Sequence, residues 1–354
     1  MELRPLLEIA AERRASDLHL AVGRPPTLRI AGTLYPLELP ILRPADTKGL
    51  SEQVLTDNRR QSLAERGEID LSYSVPGLGR YRVNVYQQRG SIGVAMRLIP
   101  EIIPSFEDLG LPPVVRGLSD KVDGIVICTG PTGSGKSTTL AAIVDRINAT
   151  RACHILTLED PIEYLHRHNL SMVNQREVFV DTQSFVTGLR SALREDPDVI
   201  MVGEMRDLDT IATAISAAET GHLVLATLHT PSAAQTIDRI VDVFPPYQQQ
   251  QIRIQLSMTL QAIVAQKLLP RLDRSGLTLA TEVLIATPAV RNLIREGKTH
   301  QVDSLIQTGK KFGMHTMESS LRALFESGAI ASDQYVMHTR ETAGEILSRQ
   351  SVGV

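Results

Sequence analysis

The rhythm of apolar positions changes near residue 100. Before it, the first fourteen residues are amphipathic, with Glu2, Arg4, Glu8, Glu12 and Arg13 set among apolar positions, and predict a short helix. Alternating apolar and polar positions follow, broken by turn signals at Gly32 and at Gly77-Leu78-Gly79; these predict strands joined by tight turns. Successive strand side chains point to opposite faces, so Tyr81, Val83 and Val85 share one face and Arg82 and Asn84 the other. In the next strand Ile92, Val94, Met96 and Leu98 oppose Arg97. Residues 1–100 read as a small α+β domain with two arginines projecting from its non-core side.

Pro100, Pro104, Pro112 and Pro113 punctuate a stretch of little periodicity, so residues 101–113 read as an interdomain linker. From residue 114 the pattern becomes continuous apolar runs alternating with helical spacing. Residues 124–129, 154–158, 199–202 and 223–227 predict buried strands. Leu140, Ile143, Val144 and Ile147 mark a helix over 138–148, and 208–220 is an alanine-rich helix closed by Gly221. That alternation, up to about Ala286, predicts an α/β sheet of parallel strands. A helical tail completes this second domain, 114–354. The glutamines 248–251 are expected on a solvated helix face.

Composition narrows the class. A chain of 354 residues exceeds what one core spans, and a net charge of −3 without a long basic run lacks the footprint of a dedicated nucleic-acid binder. The only cysteines, Cys128 and Cys153, sit in apolar segments and cannot form a four-cysteine zinc site; both are expected to be inert core residues in a reducing cytoplasm. Nowhere do eighteen apolar residues run together, so neither a signal peptide nor a membrane span is expected.

Between the first buried strand of this domain and its helix stands Gly130-Pro131-Thr132-Gly133-Ser134-Gly135-Lys136-Ser137, then Thr138. It is the phosphate-loop pattern, in the strand, loop, helix order that the chemistry requires. Glycines let backbone N–H groups turn toward phosphate oxygens, and the helix N-terminus adds its positive dipole end. Lys136 neutralises the β- and γ-phosphates, and Ser137 can ligate Mg²⁺. ATP and Mg²⁺ are the expected ligands.

Other strands should bring acids to the same edge. Strand 199–202 runs into Gly203-Glu204, which makes Glu204 a candidate for Mg²⁺ or water positioning. Asp196 and Asp198, before that strand, are expected to face solvent or a neighbouring subunit. Strand 154–158 runs into Glu159-Asp160-Pro161-Ile162-Glu163, where one of three carboxylates could be a general base, Glu163 reaching back past the turn, unless the turn has no catalytic role. His222 and His229 flank strand 223–227. Seven residues of largely extended chain separate them by about 20 Å, too far for one metal. His229 is expected to hydrogen-bond near the γ-phosphate and His222 to hold a structural or interface role at the opposite edge.

Taken in order, the phosphate loop, LEDPIE (158–163), REDPDVIMVGEMR (194–206) and AETGHLVLATLH (218–229) resemble the Walker A, Asp-box, Walker B and His-box blocks of the secretion ATPase superfamily, most closely its type IV pilus retraction branch. The similarity spans nearly the whole chain. It implies a RecA-like P-loop ATPase domain preceded by a PAS-like domain, to which SDLHL (16–20) and the strands of Arg82 and Arg97 correspond. It further implies that Glu163 is the catalytic base, that Glu204 assists Mg²⁺ and water, that His222 joins His229 among the nucleotide-site residues, and that Arg82 and Arg97, otherwise unpaired, reach the nucleotide. AVRNLIRE (289–296) is similar to a motif of the retraction motors, with Val290 for isoleucine. The four-cysteine module and longer N-terminal region of extension and export motors are absent from this sequence.

The expectation is a homohexameric, Mg²⁺-dependent ATP hydrolase that removes pilin subunits at the pilus base. It would be cytoplasmic, peripheral at the inner membrane, and partnered by an inner-membrane platform protein, with no nucleic acid and no membrane insertion of its own. An accessory retraction paralogue, a nucleotide-gated scaffold with little turnover and a DNA translocase are the competing readings; both Glu163 and Glu204 argue against the scaffold and the acidic balance against the translocase.

Overall fold

Four continuous apolar runs lie side by side in a sheet buried on both faces, and this places everything that follows. The computed structural model describes residues 1–30, 32–100, 102–273 and 276–339. Two units partition the chain: Met1–Ile102 with Glu163–Leu165, and Ile103–Ile162 with His166–Val354.

The first unit is built from α1 (Leu3–Glu12), β1 (Asp17–Leu20), β2 (Thr27–Ile30), β3 (Thr33–Pro36), α2 (Pro44–Glu52), α3 (Asp57–Arg66), β4 (Glu68–Val75), β5 (Gly79–Gln88) and β6 (Ser91–Ile99). Its strands form one antiparallel sheet in the order β3-β2-β1-β6-β5-β4. The expected alternation is present: Tyr81, Val83 and Val85 are buried with Val94 and Met96 beneath Leu3, Leu6 and Leu7 of α1, while Arg82 and Arg97 are exposed. Gly77 adopts φ +82°, the left-handed region its turn needs. The two middle helices depart from the strands-only expectation. Helix α3 gives the core only Leu63, and α2 buries Thr47, Leu50 and Ser51, so neither has an apolar stripe to read.

The second unit comprises α4 (Pro113–Arg116), β7 (Gly124–Thr129), α5 (Lys136–Thr150), β8 (His154–Glu159), β9 (Met172–Glu177), α6 (Phe185–Ala192), β10 (Val199–Val202), α7 (Leu208–Glu219), β11 (Leu223–Leu228), α8 (Ala233–Asp242), α9 (Pro246–Thr259), β12 (Leu260–Pro270), β13 (Leu277–Ile285), α10 (Pro288–Glu296), α11 (Val302–Thr308), α12 (Met317–Glu326) and α13 (Ser332–His338). The sheet order is β13-β12-β7-β11-β10-β8-β9.

Alternate residues of each central strand feed two separate cores. Ile125 and Ile127 pack on one face with Leu156, Ile200, Val202 and Val224; Val126 and Cys128 pack on the other with Ile155, Val199, Met201, Leu223 and Leu225. Burying both faces is what makes the strands read as unbroken apolar runs, and each fully buried Ile, Val or Leu contributes about 1.5–3 kcal/mol. The expectation of parallel strands needs one correction: β13 runs antiparallel to β12. An apolar edge hairpin and a buried parallel strand carry the same pattern, so direction was not legible. Phe106 and Leu111, from the stretch expected as a linker, are buried in the second unit's core. Arg291, in the block near the tail, donates to the carbonyls of Ser257 and Met258 at the end of α9 and of Ala286. The tail is helical as far as His338; residues 340–354 lie outside the described residues.

Candidate active site

Between the end of β7 at Thr129 and the start of α5 at Lys136 the chain turns through Gly130 (φ +142°), Gly133 (φ +79°) and Gly135 (φ +88°). A Cβ on Gly130 would collide with the backbone carbonyl of Gln266 on β12 and stand 2.6 Å from Ser134 Oγ, so only glycine fits there. The loop ends on the N-terminus of α5, whose first-turn N–H groups have no helical acceptors and favour an anion. Pro131, Thr132, Gly133 and Ser137 are exposed, Thr138 is half-buried and Ser134 is buried. Gln266 is itself buried and donates through Nε2 to Thr139 Oγ1 at 2.7 Å, tying β12 to the first turns of α5.

Lys136 is only 7% exposed. Its Nζ donates to the carbonyls of Gly130 at 2.8 Å and Pro131 at 2.9 Å. Burial pushes its pKa down, against the opposing pull of Glu204 and Cys128. Neutral carbonyls make weaker partners for an ammonium than phosphate oxyanions, so the lysine is held ready to exchange them.

Parallel register brings the other groups to the same edge. Val202 aligns with Ala226 and Leu158, and Thr129 with Leu228, so Glu204 and His229 leave their strands on the side where the phosphate loop leaves β7. Glu204 Oε1 accepts from Arg206 Nε and lies 3.1 Å from His229 Nε2. Burial pushes the Glu204 carboxyl up, but the hydrogen bond from Arg206 and the nearby charges of His229 and Arg206 outweigh it and hold the group below the usual carboxylate range. Two further bonds fix the strand ends: Met205 N–H donates to the Thr227 carbonyl at 3.0 Å, and Thr227 Oγ1 donates to the Gly203 carbonyl. A Cβ on Gly203 would stand 3.1 Å from the Leu158 carbonyl oxygen, a tight contact that a larger residue could make only by shifting the strand end.

The three carboxylates at and after the end of β8 part company. Glu159 is buried and accepts from Thr157 Oγ1 at 2.6 Å and Gln175 Nε2 at 3.1 Å. Asp160, before a cis bond to Pro161, is exposed with its charge bearing on Arg206. Glu163 is exposed and belongs to the first unit. His222 lies at the opposite edge, its Nδ1 donating to the Ala217 carbonyl at 2.9 Å. Asp196 and Asp198 are exposed as expected, although Asp198 also accepts the His154 N–H at 2.8 Å. Burial pushes the Cys128 thiol up to about 12, so it is inert; Cys153 is half-buried with its Sγ 3.2 Å from Ser171 Oγ.

The arginines of the first unit correct the expectation that they are unpaired. Arg97 Nε donates to Asp17 Oδ1 at 2.8 Å, and Arg82 Nε lies 3.9 Å from Asp70 Oδ1. Arg206 had no role assigned from sequence. The available signal was its spacing from Glu204, two residues along extended chain, which puts both on one side.

Among the described residues no group of three or more His, Cys, Asp or Glu could hold a metal. Mg²⁺ does not need one, since it keeps several waters and uses one or two protein oxygens beside substrate phosphates. The hydroxyl of Ser137 and the carboxylate of Glu204 suit that role.

Residues 94–310 match the profile of the type II/IV secretion system protein family. The chain belongs to that family. Among its members it is 48% identical over 333 residues to a Pseudomonas aeruginosa protein named "Type IV pilus retractation ATPase PilT", covering 94% of this chain and 96% of the relative. It is 40% identical over 338 residues to "Type IV pilus ATPase PilU" of the same organism, covering 96% and 88%. A crystal structure of the pilus retraction motor PilT with bound ADP superposes with a TM-score of 0.91 at 50% identity, covering 96% of this chain and 98% of that one. The likeness to that structure therefore extends over residues of both units.

Proposed function

We propose that this chain is a Mg²⁺-dependent ATP hydrolase, assembled as a homohexameric ring, that powers type IV pilus retraction from the cytoplasmic face of the inner membrane through a platform protein. The observation that carries the reading is the convergence of the Lys136 loop with the Glu204, Arg206 and His229 cluster at one sheet edge. Among the described residues no helix is long and apolar enough to cross a membrane.

In this reading residues 130–138 wrap the triphosphate, and Lys136 moves its ammonium from loop carbonyls to the β- and γ-phosphate oxygens. Ser137 and Glu204 would hold Mg²⁺, which would supply positive charge against the developing negative charge of the phosphates. Glu204, kept ionised by Arg206 and His229, orients the attacking water, and Glu163 takes its proton as general base. His229 hydrogen-bonds toward the γ-phosphate. Arg82 and Arg97 bring positive charge to the phosphates, a contribution of around 10³ to 10⁵ in rate for a well-placed arginine. His222 keeps the helix-to-strand turn in place. Hydrolysis then reopens an interface that ATP closed.

Deleting the gene alone tests the direction of work. Surface pili should persist while surface motility disappears. Loss of pili would assign the chain to extension, and unchanged motility would assign it to the accessory paralogue, to which identity is lower.

A further inference from the structure

We propose that Asp17 is a positioning residue that presents the Arg97 guanidinium to the nucleotide's phosphates; the inference rests on the role given to Arg97 above. Antiparallel register sets Asp17 opposite Arg29 on β2 and opposite Arg97 on β6, and Arg97 opposite Arg82 on β5. One cross-strand row on a single face of the first unit's sheet therefore carries three arginines and one acid. Like charges placed directly opposite repel, so such a row persists only if each guanidinium is held in a defined direction.

Asp17 is built to hold. It is 7% exposed, its Oδ1 accepts from Arg97 Nε at 2.8 Å, and its Oδ2 accepts the Ser16 hydroxyl at 2.7 Å. Arg29 stands farther off, 3.8 Å from Oδ2, and is fixed elsewhere by donating from Nη1 to the Gly32 carbonyl at 2.8 Å. An acid serving only to neutralise buried charge would bond most closely to the less exposed arginine. Asp17 instead makes its short bond to Arg97, whose side chain is 67% exposed against 37% for Arg29.

The direction of that bond matters. Holding Arg97 through Nε leaves Nη1 and Nη2, which make no hydrogen bond among the described residues, as an outward fork. A fork of two parallel N–H groups matches two phosphate oxygens. A guanidinium already fixed at its root loses less freedom on meeting them. Burial pushes the Asp17 carboxyl up, but the Ser16 and Arg97 hydrogen bonds outweigh it and keep it ionised at neutral pH, so the anchor stays charged while the motor works. Arg82 is held the same way but loosely, at 3.9 Å from an exposed Asp70.

The test is steady-state phosphate release by the assembled full-length protein across ATP concentrations, as a double-mutant cycle. Arg97→Ala should lower kcat by about 10³. Asp17→Asn should lower kcat by about 10² with little change in KM, and Arg97→Ala combined with Asp17→Asn should be no slower than Arg97→Ala alone. Ser16→Ala, which loosens the anchor without removing its charge, should cost about tenfold in the Arg97 background and nothing in the Arg97→Ala background. Arg29→Gln should turn over like wild type. If Arg97→Ala hydrolyses at the wild-type rate, the role given to Arg97 fails. If Arg97→Ala is slow but Asp17→Asn and Ser16→Ala are not, or if they slow the Arg97→Ala variant by the factor they slow wild type, Asp17 is structural and the positioning role is overturned.

Discussion

Lys136 and His166 are both displaced from their charged forms by burial, with different ends. For Lys136 the push of burial is opposed by an acid, Glu204, within electrostatic reach. His166 has no such help: burial takes its pKa from 6.5 to about 4, and its Nδ1 is a buried atom without a hydrogen bond among the described residues. Between those values the unfolded chain binds a proton that the folded chain refuses. Stability present above pH 6.5 is therefore lost as pH falls, levelling off below about 4, by at most about 3 kcal/mol. Denaturant unfolding at pH 7 and pH 4.5 should show wild type losing more stability than His166→Gln; equal losses would mean that the histidine is protonated in the folded state.

At the scale of elements, α7 shows how local capping supports the site. Asp207, directly after the Glu204 to Arg206 segment, accepts the Thr210 N–H at 2.8 Å and the Thr210 hydroxyl at 2.9 Å, closing the first turn. Asp207→Ala should cost about 1–2 kcal/mol in chemical denaturation and Asp207→Asn much less; no difference between the two would remove the cap from the account. Elements of this kind were legible to the extent that burial was total. Strands β7 and β10 fall on the residues expected, because every side chain in them is buried. Helices α2 and α3 were invisible because they bury so little, and β9 because an edge strand with the burial sequence of Met172–Glu177 has no strict alternation. The site divides in the same way. Phosphate-loop residues, Glu204 and His229 are contiguous with strands and follow from the order strand, loop, helix. The Asp17–Arg97 pair joins positions 80 residues apart, and the Glu204–His229 contact joins the ends of two strands through side-chain directions that no spacing rule supplies.

Across the whole molecule, charge and topology agree on what the protein handles. A net charge of −3 gives no field for a polyanion, yet a lysine, a helix N-terminus and an acid converge at one edge of the sheet. Those groups come from β7, β10 and β11 and are carried to one edge by parallel register alone, so the claim that they split ATP can be tested by removing a single charge. The most direct measurement is phosphate release from ATP and Mg²⁺ by the assembled protein, wild type beside Lys136→Ala, together with nucleotide retention by each. The account predicts that wild type retains and hydrolyses ATP and that Lys136→Ala loses turnover by about 10² or more. Wild-type protein that neither holds nor splits ATP, or a Lys136→Ala variant as fast as wild type, would contradict it.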